Sequence, residues 1–219
     1  MFNTDSSSSK LTDKKIAILA TDGFEQSELL EPKKALEAAG ARTVIVSLKK
    51  GQIKGWKDKN WGESISVDAT VDSVNAAEFD GLVLPGGVMN PDALRKEKAA
   101  VEFVKGFVDA GKPIGAICHG SWTLIETGMV RGKTMTSWPS LKTDLENAGA
   151  HWVDQEVVVD QGLITSRKPN DLPTFNLKLI EEFAVGRNAG LTSDQSRFAG
   201  AAAGTAEQLG TIDPGFAAI

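Results

Sequence analysis

The sequence predicts an α/β fold built around a mostly parallel sheet. Three observations predict it: short, fully apolar segments recur along the chain, segments with helical periodicity follow them, and the connections between the two kinds of segment are short. A strand–helix–strand order with short connections is a βαβ unit, in which the two strands run in the same direction. Strands that are apolar throughout, without alternation, are typical of a sheet that is covered on both faces.

Four buried strands carry this prediction, and they are expected at residues 15–20, 43–47, 81–85 and 112–117. Apolar residues at helical spacing predict helices at residues 29–39, 101–108, 121–127 and 140–148, and a last helix that begins at Asp171. Pro32 falls early in the first helix, and we expect it to kink that helix. A further strand is predicted at residues 133–136, and the segments 152–159 and 163–165 are expected to form a hairpin.

Composition divides the chain into three parts. Residues 1–13 are Ser-rich and polar, too poor in apolar side chains to offset the entropic cost of ordering, and are predicted to be a tail. Residues 14–186 are expected to form the α/β domain. Residues 187–219 are rich in Ala and Gly, and we expect a flexible tail or an arm packed on a partner subunit.

Composition also excludes several classes of protein. The chain has 24 lysine and arginine residues against 29 aspartate and glutamate residues, a net charge of −5, whereas binding to nucleic acid or to an anionic membrane needs a basic surface. No segment resembles a membrane span or a secretory signal, so we expect a cytoplasmic protein. One cysteine and two histidines leave no disulfide and no multi-cysteine or multi-histidine metal centre, and we expect neither a metal nor a cofactor.

The lone cysteine, Cys118, lies where a buried strand is predicted to run straight into a helix. Its neighbours Ala116 and Gly120 are small, which a sharp strand-to-helix turn requires because it brings backbone and side chains close together. Such a turn, a nucleophile elbow, lifts one side chain above the carboxyl edge of the sheet. A thiol at a helix N-terminus is also expected to have a lowered pKa. Free cysteines are commonly small buried apolar residues, but this position predicts a nucleophile.

The two histidines are interpreted differently because only one has a nucleophile beside it. His119 follows the cysteine directly, and we expect it to act as a general base if the turn brings its imidazole to the sulfur. His151 precedes a predicted strand and has no such neighbour, so we expect it on the surface.

Two further features follow predicted strands and are expected at the same edge of the sheet. The glycines of Pro85-Gly86-Gly87 would let backbone N–H groups approach a substrate oxygen as an oxyanion hole, although most Gly-Gly pairs are only turns. Glu25 follows the turn after the first strand, and its carboxyl could reach the Cys118 sulfur from there. On spacing alone, a solvated side chain or a helix cap is the better interpretation of Glu25.

Together these motifs resemble the PfpI family of intracellular proteases and stress proteins. That family belongs to the superfamily of the parkinsonism-associated deglycase and the class I glutamine amidotransferase domains. The resemblance runs from about residue 15 to residue 183 and implies a flavodoxin-like three-layer α/β sandwich. It is carried by FE at 24–25, EFDGLVLPGG at 78–87, GKPIGAICHG at 111–120, TSWP at 136–139 and TSRKP at 165–169.

The resemblance implies a role for each residue of the motifs. Cys118 corresponds to the nucleophile, His119 to the adjacent catalytic histidine, and Glu25 to the acid beside the sulfur, which we expect to be protonated. Gly87, next to Gly86, and the backbone of His119 correspond to the oxyanion donors.

Two more positions are taken from the resemblance. In PfpI-type members a neighbouring subunit supplies the third acid of the triad just after Pro-Gly-Gly. Asp92 is the candidate for that acid, which implies a homo-oligomer, a dimer or larger. Trp138 stands near the pocket, where many relatives carry Tyr or His, and bears on the choice of substrate.

The function implied is that of a cofactor-independent cysteine enzyme. We expect glyoxalase- or deglycase-type chemistry on a small reactive carbonyl or on a glycated protein or peptide, through a hemithioacetal on Cys118. An intracellular cysteine peptidase of the PfpI type is one alternative. A redox-sensing stress protein without turnover is another, because an accessible thiol beside a carboxyl also suits oxidation.

Overall fold

The computed structural model describes residues 10–186, and the secondary structure of that part of the chain alternates strands and helices. The strands are β1 (Lys15–Leu19), β2 (Phe24–Glu25), β3 (Arg42–Ser47), β4 (Gln52–Lys57), β5 (Asn60–Ser66), β6 (Ala69–Thr70), β7 (Gly81–Leu84), β8 (Ile114–Ile117), β9 (Thr134–Met135), β10 (His151–Trp152), β11 (Val157–Asp160) and β12 (Leu163–Ser166). The α-helices are α1 (Gln26–Ala38), α2 (Met89–Arg95), α3 (Lys98–Asp109), α4 (Ser121–Ile125), α5 (Lys142–Asn147) and α6 (Leu172–Val185). Short 3-10 turns lie at Ala76–Glu78, Cys118–Gly120, Pro139–Leu141 and Pro169–Asp171.

The central sheet has seven strands in the order β11-β12-β8-β7-β1-β3-β6. Every pairing in it is parallel except that of β11 with β12, which is an antiparallel hairpin at one edge. The carboxyl ends of β1, β7 and β8 therefore lie side by side at one edge of the sheet. In such sheets this edge is where ligands bind.

Helices cover both faces of this sheet, because successive strand residues point to opposite sides. In β1, Ile16 and Ile18 join the core beneath α1 and α6, whereas Ala17 and Leu19 join the core beneath α3. Both cores are closed to solvent, which explains why the strands are apolar throughout. The flavodoxin-like three-layer sandwich expected from the sequence is confirmed.

The strands and helices predicted from apolar patterns are present, with ends that differ by a few residues. The first helix begins earlier than predicted, at Gln26, and it continues through Pro32 to Ala38. The predicted hairpin forms, but its first strand begins at Val157, since the residues at 151–152 pair instead with β9.

Residues 48–80 contain structure for which no prediction was made. Here β4 and β5 form an antiparallel hairpin, and β2 pairs with β4 to complete a second, three-stranded sheet. Its strands are too polar on their outer face, and the residues of β2 too few, for an apolar pattern to reveal them.

At its N-terminal end the ordered domain begins before the predicted boundary at residue 14. Leu11, which was placed in the polar tail, is fully buried, and its N–H donates to the carbonyl of Ala39 at 2.9 Å. Residues 1–9 and the Ala/Gly-rich segment 187–219 lie outside the described residues. Within residues 10–186, no helix has both the length and the apolar character that crossing a membrane requires.

Candidate active site

Cys118 lies at the carboxyl end of β8, where the strand turns sharply into α4. Ile117 still has extended backbone angles, and Cys118 itself has a φ of +61°, in the left-handed region that costs a non-glycine residue about 1 kcal/mol or more. Gly120 is required two residues later, because a Cβ there would lie 2.3 Å from the carbonyl oxygen of Leu84. The turn has the backbone expected of a nucleophile elbow.

The imidazole of His119 meets the sulfur of its neighbour. His119 Nδ1 lies 3.2 Å from Cys118 Sγ, which is within hydrogen-bonding distance for sulfur. Both side chains are nearly closed to solvent, with exposed fractions of 7% for Cys118 and 8% for His119. Burial lowers the pKa of His119, so the imidazole is neutral at pH 7 and can accept a proton from the thiol.

The carboxyl beside the sulfur belongs to Glu28 and not to the predicted Glu25. Glu28 is fully buried, and its Oε2 accepts the backbone N–H of Gly86 at 2.9 Å. The carboxyl also interacts with the Cys118 thiol. Its Oε1 has no hydrogen-bond partner among the described residues.

The assignment of Glu25 to this position was wrong, because Glu25 is the N-cap of α1. Its carboxylate accepts hydrogen bonds from the backbone N–H and the hydroxyl of Ser27, at 3.4 and 2.9 Å. Glu25 is therefore a helix cap, which is the interpretation that its spacing in the sequence favours. Glu28 follows one turn later, in line with the buried residues Pro32 and Leu36, and a carboxyl on an otherwise apolar helix stripe is the sequence pattern that could have identified it.

Burial raises the pKa of both acidic groups at the elbow. The pKa of Glu28 is raised to about 8, first by burial and then by the negative charge of Glu25. The pKa of Cys118 is raised by burial and by the charge of Glu28, whereas the backbone N–H groups of His119 and Gly87 act in the opposite direction. At neutral pH Glu28 therefore holds a proton, and in that state it no longer opposes ionisation of the sulfur.

The expectation of a thiol pKa lowered by a helix N-terminus is thus not met. The helix α4 has only five residues, and a 3-10 turn separates it from the strand, so the macrodipole at the sulfur is small. Burial of Cys118 outweighs it.

The loop after β7 brings backbone donors to the elbow. Gly86 packs so tightly there that a Cβ would lie 2.5 Å from Glu28 Oε2 and 2.7 Å from the Cβ of Cys118. Gly87 has a φ of +76°, and its N–H, like that of His119, is directed at the sulfur. Two converging N–H groups beside a nucleophile have the geometry of an oxyanion hole.

Aromatic rings hold the imidazole from two sides. Trp138 stacks on His119 with ring centroids 6.0 Å apart and planes inclined by 24°, and Trp122 makes an edge contact at 5.3 Å. The backbone N–H of Trp138 also donates to the carbonyl of Cys118 at 3.2 Å, which ties this loop to the elbow. Trp138 is the tryptophan that the family resemblance places near the pocket, whereas no sequence motif indicates Trp122.

Within the described part of a single chain, His119 has no carboxylate partner. Its Nε2 faces the hydroxyl of Ser140 at 3.5 Å. Asp92 lies exposed in the first turn of α2 and makes no ion pair or hydrogen bond with the imidazole of its own chain. His151, in contrast, is exposed on β10 as expected.

The rim of the site is apolar and open to solvent. Val88 and Met89, directly after the glycines, and Trp138 have exposed fractions of 56%, 42% and 39%. Exposed apolar side chains therefore lie next to the elbow, whose sulfur-bearing residue is itself only 7% exposed.

Comparison with known proteins identifies the family of this chain. The sequence matches the DJ-1/PfpI family over residues 14–182. It is 45% identical over 168 residues to Protein/nucleic acid deglycase 2 of Escherichia coli (strain K12), covering 76% of this chain and 96% of that protein. It is 44% identical over 173 residues to General stress protein 18 of Bacillus subtilis (strain 168), covering 77% of this chain and 99% of that protein. It is 42% identical over 167 residues to Deglycase PfpI of Pyrococcus furiosus, covering 76% of this chain and 98% of that protein.

Solved structures give the same result. Drosophila melanogaster DJ-1beta superposes with a TM-score of 0.71 at 32% identity, over 78% of this chain and 90% of that chain. A protein of Anabaena variabilis with dj-1/thij/pfpi-like and ferritin-like domains superposes with a TM-score of 0.74 at 36% identity. That match covers 83% of this chain and 50% of the two-domain protein. With its fold, its elbow and its sequence in agreement, the chain is a member of the DJ-1/PfpI family.

Proposed function

We propose that the protein is a cysteine-dependent enzyme that acts on small reactive carbonyl compounds, either free or as early adducts on proteins. The observation that carries the proposal is the elbow itself, where a nearly buried thiol contacts a neutral imidazole and a buried carboxyl. The relatives named deglycase, at 42–45% identity, support this class of reaction.

The burial of Cys118 supports a small substrate. With 7% of Cys118 exposed, an aldehyde carbon can reach the sulfur, whereas an extended peptide needs a groove that exposes the nucleophile along its length. The apolar rim of Val88, Met89 and Trp138 suits the methyl side of a compound such as methylglyoxal.

The first step is addition of the sulfur to the aldehyde carbon. His119 Nδ1 takes the thiol proton, the C–S bond forms, and the carbonyl electron pair moves to oxygen, which then receives that proton. The N–H groups of Gly87 and His119 are the donors to this oxygen as its charge develops. The product is a hemithioacetal on Cys118.

The second step moves a proton between adjacent carbons. The imidazole, neutral again, removes the C–H proton of the hemithioacetal carbon, and the proton is returned to the neighbouring carbonyl carbon through an enediol. The result is a thioester, which water hydrolyses to lactate and free thiol, with no net change of oxidation state for the whole reaction. In an early adduct on a protein amine, the amine leaves as the C–S bond forms.

The proton on Glu28 has a role throughout. A neutral carboxyl can donate to the sulfur when it is a thiolate and so stabilises it in a site that excludes water. An ionised carboxyl there would repel the thiolate, so activity is expected to fall as the pH rises above about 8.

The active unit we propose is a homo-oligomer in which Asp92 of one subunit approaches His119 of another. Among the described residues of its own chain, the Nε2 of His119 has no carboxylate partner and faces the hydroxyl of Ser140. An acid bonded to that nitrogen would orient the imidazole, as in other nucleophile–base–acid sets.

The test is to incubate the reduced protein with methylglyoxal and to measure lactate. Wild-type protein should produce lactate, whereas Cys118→Ala should not, since it removes the nucleophile and leaves the buried volume nearly unchanged. Lactate production by Cys118→Ala at the wild-type rate would overturn the proposal.

Two parallel assays separate the alternatives. Cysteine-dependent cleavage of a labelled casein with no lactate from methylglyoxal would assign the protein as a peptidase. Neither activity, together with oxidation of Cys118 by dilute peroxide as read by mass spectrometry, would assign it as a redox sensor.

A further inference from the structure

The indole of Trp122, on α4, is held by contacts with two other helices. Its Nε1–H donates to Oδ2 of Asp144, in the first turn of α5, at 2.8 Å. The guanidinium of Arg95, at the end of α2, lies 5.5 Å from the centroid of the indole and is itself paired with Glu126, which caps α4. Three helices therefore meet at this one half-buried ring.

The same ring touches the base of the site. Trp122 meets His119 edge to face, with ring centroids 5.3 Å apart and planes inclined by 68°. The hydroxyl of Ser140 lies 3.5 Å from Nε2, at the limit of a hydrogen bond, and it can rotate away. Trp138 also stacks on the imidazole, but it is exposed at the rim. Trp122 is thus the aromatic contact that other helices hold in place.

We infer that Trp122 and Asp144 are positioning residues for the base, His119. The carboxylate fixes the indole, and the indole fixes the imidazole with its Nδ1 at the thiol. Proton transfer needs the two heavy atoms about 3 Å apart, so a small displacement of the ring costs much of the rate. The inference rests on the proposed function and deepens it, because it assigns what places the base of that reaction. Both residues belong to the chain that carries the nucleophile, so this support needs no second subunit.

The bond between Trp122 and Asp144 is not needed to join α4 to α5. Each helix has its own anchor in the core, since Leu124 of α4 and Leu145 of α5 are both fully buried in the same apolar cluster. Asp144 is exposed, and a single hydrogen bond at the surface adds little to the stability of a fold. Its effect should therefore be found in the reaction more than in folding.

The experiment is a double-mutant cycle on kcat and KM for lactate formation from methylglyoxal. Asp144→Ala should lower kcat about fivefold with KM unchanged, because the indole loses its anchor while substrate contacts remain. Trp122→Phe keeps an aromatic ring but has no N–H, and it should show a similar loss. The double variant should lose no more than either single variant, since Asp144 acts through the indole. Asp144→Asn keeps an oxygen acceptor and should retain most of kcat.

Trp152 provides the matched control. Its Nε1–H also donates a hydrogen bond, to the hydroxyl of Ser137 at 3.0 Å, and the ammonium of Lys142 lies 5.5 Å from its ring. In the part of the chain that the structure describes, it makes no ring contact with His119. Trp152→Phe therefore removes an equivalent indole bond away from the base and should leave kcat unchanged.

The rate at which iodoacetamide alkylates Cys118 gives a second readout that needs no substrate. A thiol that passes its proton to a well-placed imidazole reacts faster, because the thiolate is the nucleophile. Asp144→Ala should slow alkylation at pH 7 about fivefold, and Asp144→Asn should not. If the wild-type protein forms no lactate, the proposed function fails, and the alkylation rates still decide the present inference.

Three results would overturn the inference. The first is a wild-type alkylation rate in Asp144→Ala, whose folding is checked by circular dichroism and thermal unfolding. The second is a double variant whose loss of kcat is the product of the two single losses, which would mean that Asp144 does not act through the indole. The third is an equal loss of kcat in Trp152→Phe and Trp122→Phe, which would reduce both tryptophans to a structural role.

Discussion

The Sγ atom of Cys118 lies 3.2 Å from Nδ1 of His119, its immediate neighbour in the chain. Adjacent side chains on a strand point to opposite faces, and on a helix they are about 100° apart, so neither regular structure favours this contact. It is made here at the left-handed turn, where φ is +61° at Cys118. The nucleophile and its base are thus brought together by one backbone angle.

The first prediction separates the two glutamates. Glu28→Gln should lower the rate of lactate formation at least tenfold and remove the loss of activity above about pH 8, because an amide cannot ionise. Glu25→Gln is the matched control: it should cost about 1 kcal/mol of stability as a weakened N-cap and retain the loss of activity at high pH, shifted to lower pH because the charge of Glu25 contributes to the raised pKa of Glu28. The measurement is the initial rate against pH for the three proteins, and equal profiles for both variants would contradict the assignment of Glu28.

The second prediction concerns stability against pH. The pKa of Glu28 is raised by folding from 4.5 to about 8, so the folded state binds the proton more tightly than the unfolded state. The stability that this contributes, at most about 5 kcal/mol, is fully present below pH 4.5 and is lost as the pH rises through 8.

Denaturant unfolding between pH 7 and pH 9 measures this loss, in a range where His119 stays neutral. Wild-type protein should lose about 1 kcal/mol across that range, because most of the loss already lies between pH 4.5 and pH 7, whereas Glu28→Gln should lose much less. Parallel curves for the two proteins would show that Glu28 is already ionised at pH 7.

The third prediction tests the backbone at the oxyanion loop. In Gly87→Ala the new methyl group would lie 2.3 Å from the carbonyl oxygen of Gly23 at a φ of +76°, so about 3 kcal/mol of stability should be lost. Gly132 has nearly the same φ, +73°, with no atom within 4 Å of a Cβ, and Gly132→Ala should cost only about 1 kcal/mol. Thermal unfolding of both variants measures the difference in stability. Equal losses would mean that the backbone angle alone, and not the contact with Gly23, determines the cost of the substitution.

The fourth prediction concerns the proposed subunit acid. Asp92→Asn should lower kcat about tenfold without changing the mass in light scattering, because a neutral amide orients the imidazole less strongly. Asp109→Asn, an exposed acid on α3, is the control and should have no effect. A monomer with full activity at micromolar concentration would exclude any role for Asp92 across an interface.

Much of this structure could be predicted because its strands are buried on both faces and therefore apolar throughout. The same reasoning located the elbow, since a cysteine between small residues at the end of such a strand is an unusual pattern. It could not reveal the hairpin of β4 and β5, whose outer face is polar and whose inner face is small. It also chose the wrong glutamate, because the choice depends on where α1 begins. A start at Gln26 makes Glu25 a cap and turns Glu28 inward, and local sequence leaves helix ends uncertain by several residues.

The left-handed backbone at Cys118 sets activity against stability at a single position. Glycine adopts a φ of +61° without strain, so Cys118→Gly should relieve about 1 kcal/mol at the elbow while removing the nucleophile. A selection for thermal stability alone would therefore favour an inactive protein at this residue. A selection that also requires turnover must retain the strained cysteine and recover stability elsewhere in the chain.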